Sequence, residues 1–145
     1  MKRQVILIAL FALFGLQNAS AKYAIGGSIG ASHINSKHSF AFSVYGYYKF
    51  DEQILLGITS GQEQSGVPVT ANLLMRLPFG RIILPFFTGD MGYYYHSNNA
   101  ATMLRAGGGL DWKNGERSSI LLMGGYQKIG STEGLYSRIG LLLEF

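Results

Sequence analysis

Three histidines and one neighbouring serine are the residues in this sequence with the clearest potential for catalysis or metal binding. His96 is followed directly by Ser97, and a histidine beside a serine can serve as base and nucleophile in acyl transfer. Neighbours along a strand point to opposite faces, however, so this pair cannot meet if the strand continues through it. His33 and His38 are predicted to lie across the fold from His96, and no further ligand for a tetrahedral metal site stands out. We therefore predict no catalytic residue, no metal site and no cofactor.

Charged residues are the second group with possible chemistry, because they fall on one face of the alternating segments described below. A charge removed from water must be paired or hydrated. Asp90 and Arg105 are predicted about one diagonal step apart on neighbouring strands. Lys22 and Glu144 are predicted to face each other where the first and last segments meet. The predicted network comprises Lys22, Lys49, Arg76, Asp90, Arg105, Asp111, Arg117, Arg138 and Glu144.

The composition and the first residues indicate an exported protein that is not an ordinary soluble domain. Charged residues make up only 14% of the 145 residues, against about 25% in soluble domains. Lys2 and Arg3 precede an uncharged apolar run, and a small-residue cleavage site follows at 19–21, which is typical of a secretory signal peptide. We therefore divide the chain into a signal peptide, residues 1–21, and one domain, residues 22–145. The chain has no cysteine, which rules out disulfides and thiol chemistry.

The elements that must position these residues are short strands. Seven breaks divide residues 22–145 into eight segments that alternate with period 2. Three are tight-turn sequences, at 51–53, 77–80 and 113–116, and four are polar runs, at 33–38, 62–67, 96–100 and 129–134. In residues 40–48 the even positions carry Phe40, Phe42, Val44 and Tyr48, whereas the odd positions are smaller or more polar. We predict an all-β fold, an eight-stranded antiparallel up-and-down barrel. Pro85 lies inside the fifth segment, and this predicts either a longer preceding turn or a bulge.

The composition of the two faces decides which one points inward. The less apolar face is mostly glycine, serine, threonine and alanine, which suits the narrow interior of an eight-stranded barrel better than a wetted surface. The apolar face would then meet lipid, where a closed barrel pairs every backbone polar group. Aromatic residues on this face cluster at both strand ends, as expected of membrane-interface girdles. They are Tyr23, Tyr48, Phe50, Trp112 and Phe145 near the tight turns, and Tyr93, Tyr95 and Tyr126 near the longer breaks.

The last residues resemble a known assembly signal. Arg138, Gly140, Leu143 and Phe145 have the spacing of the C-terminal signal of bacterial outer-membrane barrels, which the barrel assembly machinery reads. Residues 85–93 and 106–112 resemble the central strands of the small outer-membrane β-barrel family, the porin-like, OmpA/OmpX-type eight-stranded barrel domain. The resemblance implies a transmembrane barrel in the bacterial outer membrane, in contact with phospholipid and lipopolysaccharide. The formal net charge of +4 includes Lys2 and Arg3 of the predicted signal peptide, so we expect no contact with nucleic acid.

The resemblance leaves the function open between three roles. We expect a structural or surface-interaction protein with a lumen filled by side chains, and not an enzyme. One alternative is a lipid-modifying enzyme, because the segment from His96 to Ala100 resembles a stretch of outer-membrane lipid A deacylases. The other alternative is a narrow channel.

Overall fold

The computed structural model describes residues 22–145, so the predicted signal peptide lies outside the described residues. Each strand pairs antiparallel with the next, and β8 pairs with β1, which closes the barrel. The prediction of an eight-stranded antiparallel barrel is confirmed. In the described range no helix is long and apolar enough to cross a bilayer. The strands are β1 (Lys22–Ile34), β2 (Lys37–Lys49), β3 (Ile54–Glu63), β4 (Val67–Arg76), β5 (Ile83–His96), β6 (Asn99–Lys113), β7 (Ser118–Ile129) and β8 (Thr132–Glu144).

The connections differ between the two ends of the barrel. At the end that we call the outer end, the turns are residues 35–36, 64–66, 97–98 and 130–131. Several of their non-glycine residues have positive φ, for example 49° at Asn35 and 62° at Ser36, which is the backbone conformation that two-residue hairpins need. The outer breaks are therefore shorter than the sequence predicted, because most residues of the polar runs belong to strands.

The other end, which we call the inner end, holds Lys22, Phe145 and the turns 50–53, 77–82 and 114–117. The longest of these turns answers the question raised by Pro85. β5 begins at Ile83, and the carbonyl of Pro85 accepts a hydrogen bond from the amide of Leu77 at 2.7 Å. Of the two possibilities, the longer preceding turn is the correct one.

The two faces of the sheet have opposite environments. On β8 the side chain of Leu141 is 47% exposed, whereas that of the next residue, Leu142, is fully buried. Large apolar side chains such as Ile58 and Met91 are 70% and 68% exposed on the outside. A water-soluble protein rarely presents such a continuous apolar surface. The predicted orientation, with apolar side chains outward, is the observed one.

Glycines on the inner face make room for aromatic side chains. Tyr45 lies inside the barrel against Gly26, its register partner, and against Gly140. Its hydroxyl donates hydrogen bonds to the carbonyl of Gly27 at 3.0 Å and that of Leu141 at 3.2 Å. A side chain at Gly26 would occupy the space of the Tyr45 ring. Tyr45 can therefore fill this part of the lumen only because residue 26 is a glycine.

Candidate functional site

The interior near the inner end contains a group of charges that we call the inner cluster: Lys49, Arg76, Asp111, Lys113 and Glu144. Arg76 donates from Nε to Asp111 at 2.6 Å and from Nη2 to Glu144 at 2.7 Å. Lys113 approaches Glu144 at 2.9 Å, and Lys49 also pairs with Glu144. Arg76 and Asp111 are almost completely buried. Glu52 of the turn 50–53 is the sixth member, because Lys49 reaches it at 3.1 Å. With it, three cations meet three carboxylates.

An apolar layer separates this cluster from the middle of the barrel. Its members are buried side chains from seven strands that pack on one another across the lumen. They are Ala24, Tyr45, Tyr47, Leu55, Leu74, Phe86, Leu121 and Leu142. The polar side-chain groups of this layer are the hydroxyls of Tyr45 and Tyr47, which are too few to replace the hydration shell of a passing ion.

A second group of charges lies towards the outer end, and we call it the outer cluster: Glu63, Asp90, Arg105, Gln127 and Arg138. Glu63 is fully buried at its centre. Its carboxylate accepts from Arg138 at 2.8 Å and from Gln127 at 2.6 Å, and it also pairs with Arg105. Arg105 reaches Asp90 at 3.3 Å. Two arginines thus meet two carboxylates, and the cluster has no net charge.

Further side chains close the outer cluster on both sides. The ring of Tyr136 lies 5.8 Å from the guanidinium of Arg105 and 5.7 Å from that of Arg138, which permits cation–π attraction. Ile34, Tyr94, Met103 and Ile129 pack together nearer the outer end, and the Tyr94 hydroxyl donates to the carbonyl of Glu63 at 2.9 Å. A cavity of about 20 Å³ adjoins the two arginines. This is room for about one water molecule.

The structure corrects two details of the predicted network at the inner end. Arg117 lies in the turn 114–117 and is exposed, so its assignment to the lumen is wrong. Glu144 lies opposite Ala24, not opposite Lys22, because the closing seam is shifted by two residues from the expected register. The structure does not describe the side chain of Lys22, so its place in the network stays a prediction. Lys49, Arg76, Asp111, Arg138 and Glu144 are buried inside as described above.

Asp90 and Arg105 are closer together than predicted, and the prediction omitted Glu63, which lies at the centre of their cluster. Asp90 and Arg105 are direct register partners, not diagonal neighbours. Glu63 was assigned to a polar break between strands, but it is the last residue of β3. The local sequence pattern could not predict its burial, because its hydrogen-bond and ion-pair partners come from β1, β6, β7 and β8.

The predicted interface aromatics all lie on the outer surface. At the inner end Tyr23 packs edge-to-face on Tyr48 with ring centroids 6.1 Å apart, and Tyr48 on Phe50 at 4.7 Å. Trp112 and Phe145 are 49% and 61% exposed. Tyr93, Tyr95 and Tyr126 are exposed on the outside towards the outer end.

The residues of the predicted assembly signal alternate between the two faces of β8. Arg138 and Gly140 point inward, whereas Leu143 and Phe145 are exposed outside. The amide of Phe145 donates to the carbonyl of Tyr23 at 2.7 Å. The last residue is thereby tied to the first strand.

The histidines form two separate contacts at the outer end. His96 does not pair with Ser97, which lies in the turn 97–98. Instead its Nδ1 lies 3.0 Å from the Oγ of Ser65 and 3.1 Å from the Ser65 carbonyl oxygen. His33 and His38 are register partners with their Nδ1 atoms 3.2 Å apart. Among residues 22–145 no group of three or more metal-ligating side chains occurs.

Comparison with solved structures assigns the fold. The N-terminal β-barrel domain of Pseudomonas aeruginosa OprF aligns with a TM-score of 0.67 at 12% identity, over 84% of this chain and 97% of that one. OprG from the same organism aligns at 0.66 and 10% identity, over 86% and 96%. Neisserial surface protein A aligns at 0.63 and 8% identity, over 88% and 98%.

These structures are small outer-membrane barrels, and the chain has the fold of an integral outer-membrane β-barrel, of the porin-like OmpA/OmpX type that the sequence resembled. At these identities the likeness establishes the fold alone. No family model and no curated protein matches the sequence.

Proposed function

We propose that residues 22–145 form an exported barrel of the bacterial outer membrane, closed to ions, with a structural or surface-contact role and without catalytic activity. Its partners in this proposal are phospholipid and lipopolysaccharide around the barrel. The observation that carries the proposal is the filling of the lumen. Two charge-compensated clusters and an apolar layer span it, and the cavity that adjoins the outer cluster has a volume of about 20 Å³.

The energetics of these contacts support a closed lumen. An ion that crossed the barrel would have to separate buried ion pairs, and breaking one such pair costs about 3–5 kcal/mol. It would also have to shed water at the apolar layer, where two tyrosine hydroxyls cannot replace a full hydration shell. Eight strands enclose little space beyond that occupied by side chains.

Planar-bilayer recording tests closure directly. The purified barrel is reconstituted, and heat-modifiable gel mobility of the same sample verifies that the barrel is folded. A conducting porin serves as the positive control. We expect no steady current steps from this protein. Reproducible single-channel steps from folded protein would support the narrow channel instead.

Location and assembly make a second test. In the proposal the signal peptide directs export, and the terminal strand carries the signal for the assembly machinery. Phe145→Ala should lower the amount of folded protein in the outer-membrane fraction. Phe87→Ala is the matched control, because Phe87 is 59% exposed on the same surface and Phe145 61%, but Phe87 lies outside the signal. Equal effects of both substitutions would argue against a terminal signal.

One observation favours the enzymatic alternative and has to be tested. Ser65 and His96 are 3.0 Å apart at the outer end, a separation compatible with a nucleophile and its base. In the described range, however, the hydrogen bonds of His96 go only to Ser65, so no carboxylate orients the ring. We expect Ser65→Ala and His96→Ala to leave the acylation of lipid A unchanged in mass spectra. Loss of a deacylated species in both variants would establish the enzyme.

A further inference from the structure

The paired histidines at the outer end are a feature that the closed-barrel function does not use. His33 is near the end of β1 and His38 near the start of β2, on either side of the turn 35–36. The two residues are direct partners in the antiparallel register. Both side chains are exposed on the outside of the barrel. The hairpin itself therefore holds the two imidazoles together.

The geometry of the two rings suits a shared metal ion. Their Nδ1 atoms are 3.2 Å apart, with ring centroids 4.3 Å apart. With bonds of about 2.0–2.1 Å from imidazole nitrogen to zinc, this separation corresponds to an angle of about 100–106° at the metal, near the tetrahedral value. In the absence of metal one Nδ1 must carry a proton for the contact to be a hydrogen bond. With metal, that proton is lost and both Nδ1 lone pairs are available to the ion.

We propose that His33 and His38 form a two-histidine site for a divalent transition-metal ion that favours nitrogen ligands, such as Zn²⁺ or Cu²⁺, with water completing the coordination. Imidazole suits these ions, whereas Mg²⁺ and Ca²⁺ prefer oxygen. The surroundings are compatible with a cation. Lys37 precedes His38, and neighbours along a strand point to opposite faces, so its ammonium is directed away from the rings. The sequence reasoning sought a site that included His96 and so did not consider this pair.

The site differs from a structural zinc site in strength and purpose. Structural sites use four protein ligands and drive folding, whereas here the barrel is already closed by its strands. Binding should therefore be reversible by a chelator without unfolding. The proposal rests on the register of one hairpin and does not depend on whether the barrel conducts.

The experiment uses tag-free protein, folded in detergent, titrated with Cu²⁺ alone. We expect one ion per chain, with electron paramagnetic resonance couplings from two equivalent imidazole nitrogens, reversed by EDTA. His33→Ala/His38→Ala should weaken binding at least about tenfold, since even residues that only support a metal ligand contribute about 10–100-fold. His96→Ala is the matched control, because its imidazole lies at the same end without a second histidine, and it should bind as the parent does.

Calorimetric titration with Zn²⁺ should rank the binding affinities of the variants in the same order. Because both histidines are exposed, the double variant should fold normally, and its heat-modifiable mobility verifies this. Copper spectra without two imidazole couplings would overturn the proposal. So would unchanged affinity in the folded double variant, or an equal loss in His96→Ala.

Discussion

Glu63 is the residue on which the interior depends most, and its charge can be removed with little change of shape. Glu63→Gln keeps the side-chain length but leaves Arg105 and Arg138 with one carboxylate, Asp90, between them. Removing one partner of a buried ion pair typically costs about 3–5 kcal/mol, because the other charge stays buried without compensation. We expect the free energy of unfolding to fall by that amount.

A second substitution separates charge from packing. Glu63→Gln/Arg138→Met removes one charge of each sign and leaves Arg105 paired with Asp90. The double variant should regain about 1–3 kcal/mol relative to Glu63→Gln, the size typical of coupling between contacting residues. The assay is urea unfolding of the barrel in lipid vesicles, followed by gel mobility and by the fluorescence of Trp112, the only tryptophan.

The control for this pair is Glu116→Gln. Glu116 is exposed in the turn 114–117, so the same chemical change should leave the unfolding curve where it is. The reasoning is refuted if Glu63→Gln costs less than about 1 kcal/mol, since a charge-compensated cluster cannot lose its central carboxylate so cheaply. It is also refuted if the double variant is no more stable than Glu63→Gln alone.

Two further predictions concern the filling of the lumen. Gly26→Leu should destabilise the barrel by about 1–3 kcal/mol or prevent its closure, because the new side chain overlaps Tyr45. The control is Gly46→Leu, at an open outward position, which should fold as the parent does. Equal refolding yields of the two variants would contradict the prediction. Arg76→Lys should lose about 1.5–3 kcal/mol in urea titrations, because an ammonium lacks the planar fork that reaches both Asp111 and Glu144. Parental stability of Arg76→Lys would show that the two-way bridge is not needed.

The sequence was sufficient for the strands and their faces, because period-2 alternation is a local property. Phe40 and Phe42 outside and Tyr45 inside follow directly from it. It was not sufficient for the partners inside the lumen, which come from strands far apart in the chain. Arg138 bonds to Ser43 and Glu63 across the interior, and such contacts depend on the stagger of the closed sheet.

The turns show the same division between local and non-local information. Positive φ occurs at four non-glycine residues of the outer turns: Asn35, Ser36, Gln64 and Ser97. The residue types alone therefore did not predict these tight turns. The polar runs around them were read as longer breaks. This is why Glu63 was missed and why the His33–His38 contact did not appear in the prediction.

The central claim is that the apolar outer face contacts lipid, and Trp112 reports on it without any label. The protein is reconstituted in vesicles with brominated phospholipids, with bromine placed either near the headgroup or deep in the chain. Trp112 should be quenched most by shallow bromine, whereas a Trp112→Phe/Ile139→Trp variant, with its tryptophan on the outer face near the middle of β8, should be quenched most by deep bromine. Tryptophans at both positions that respond only to aqueous iodide would contradict the account.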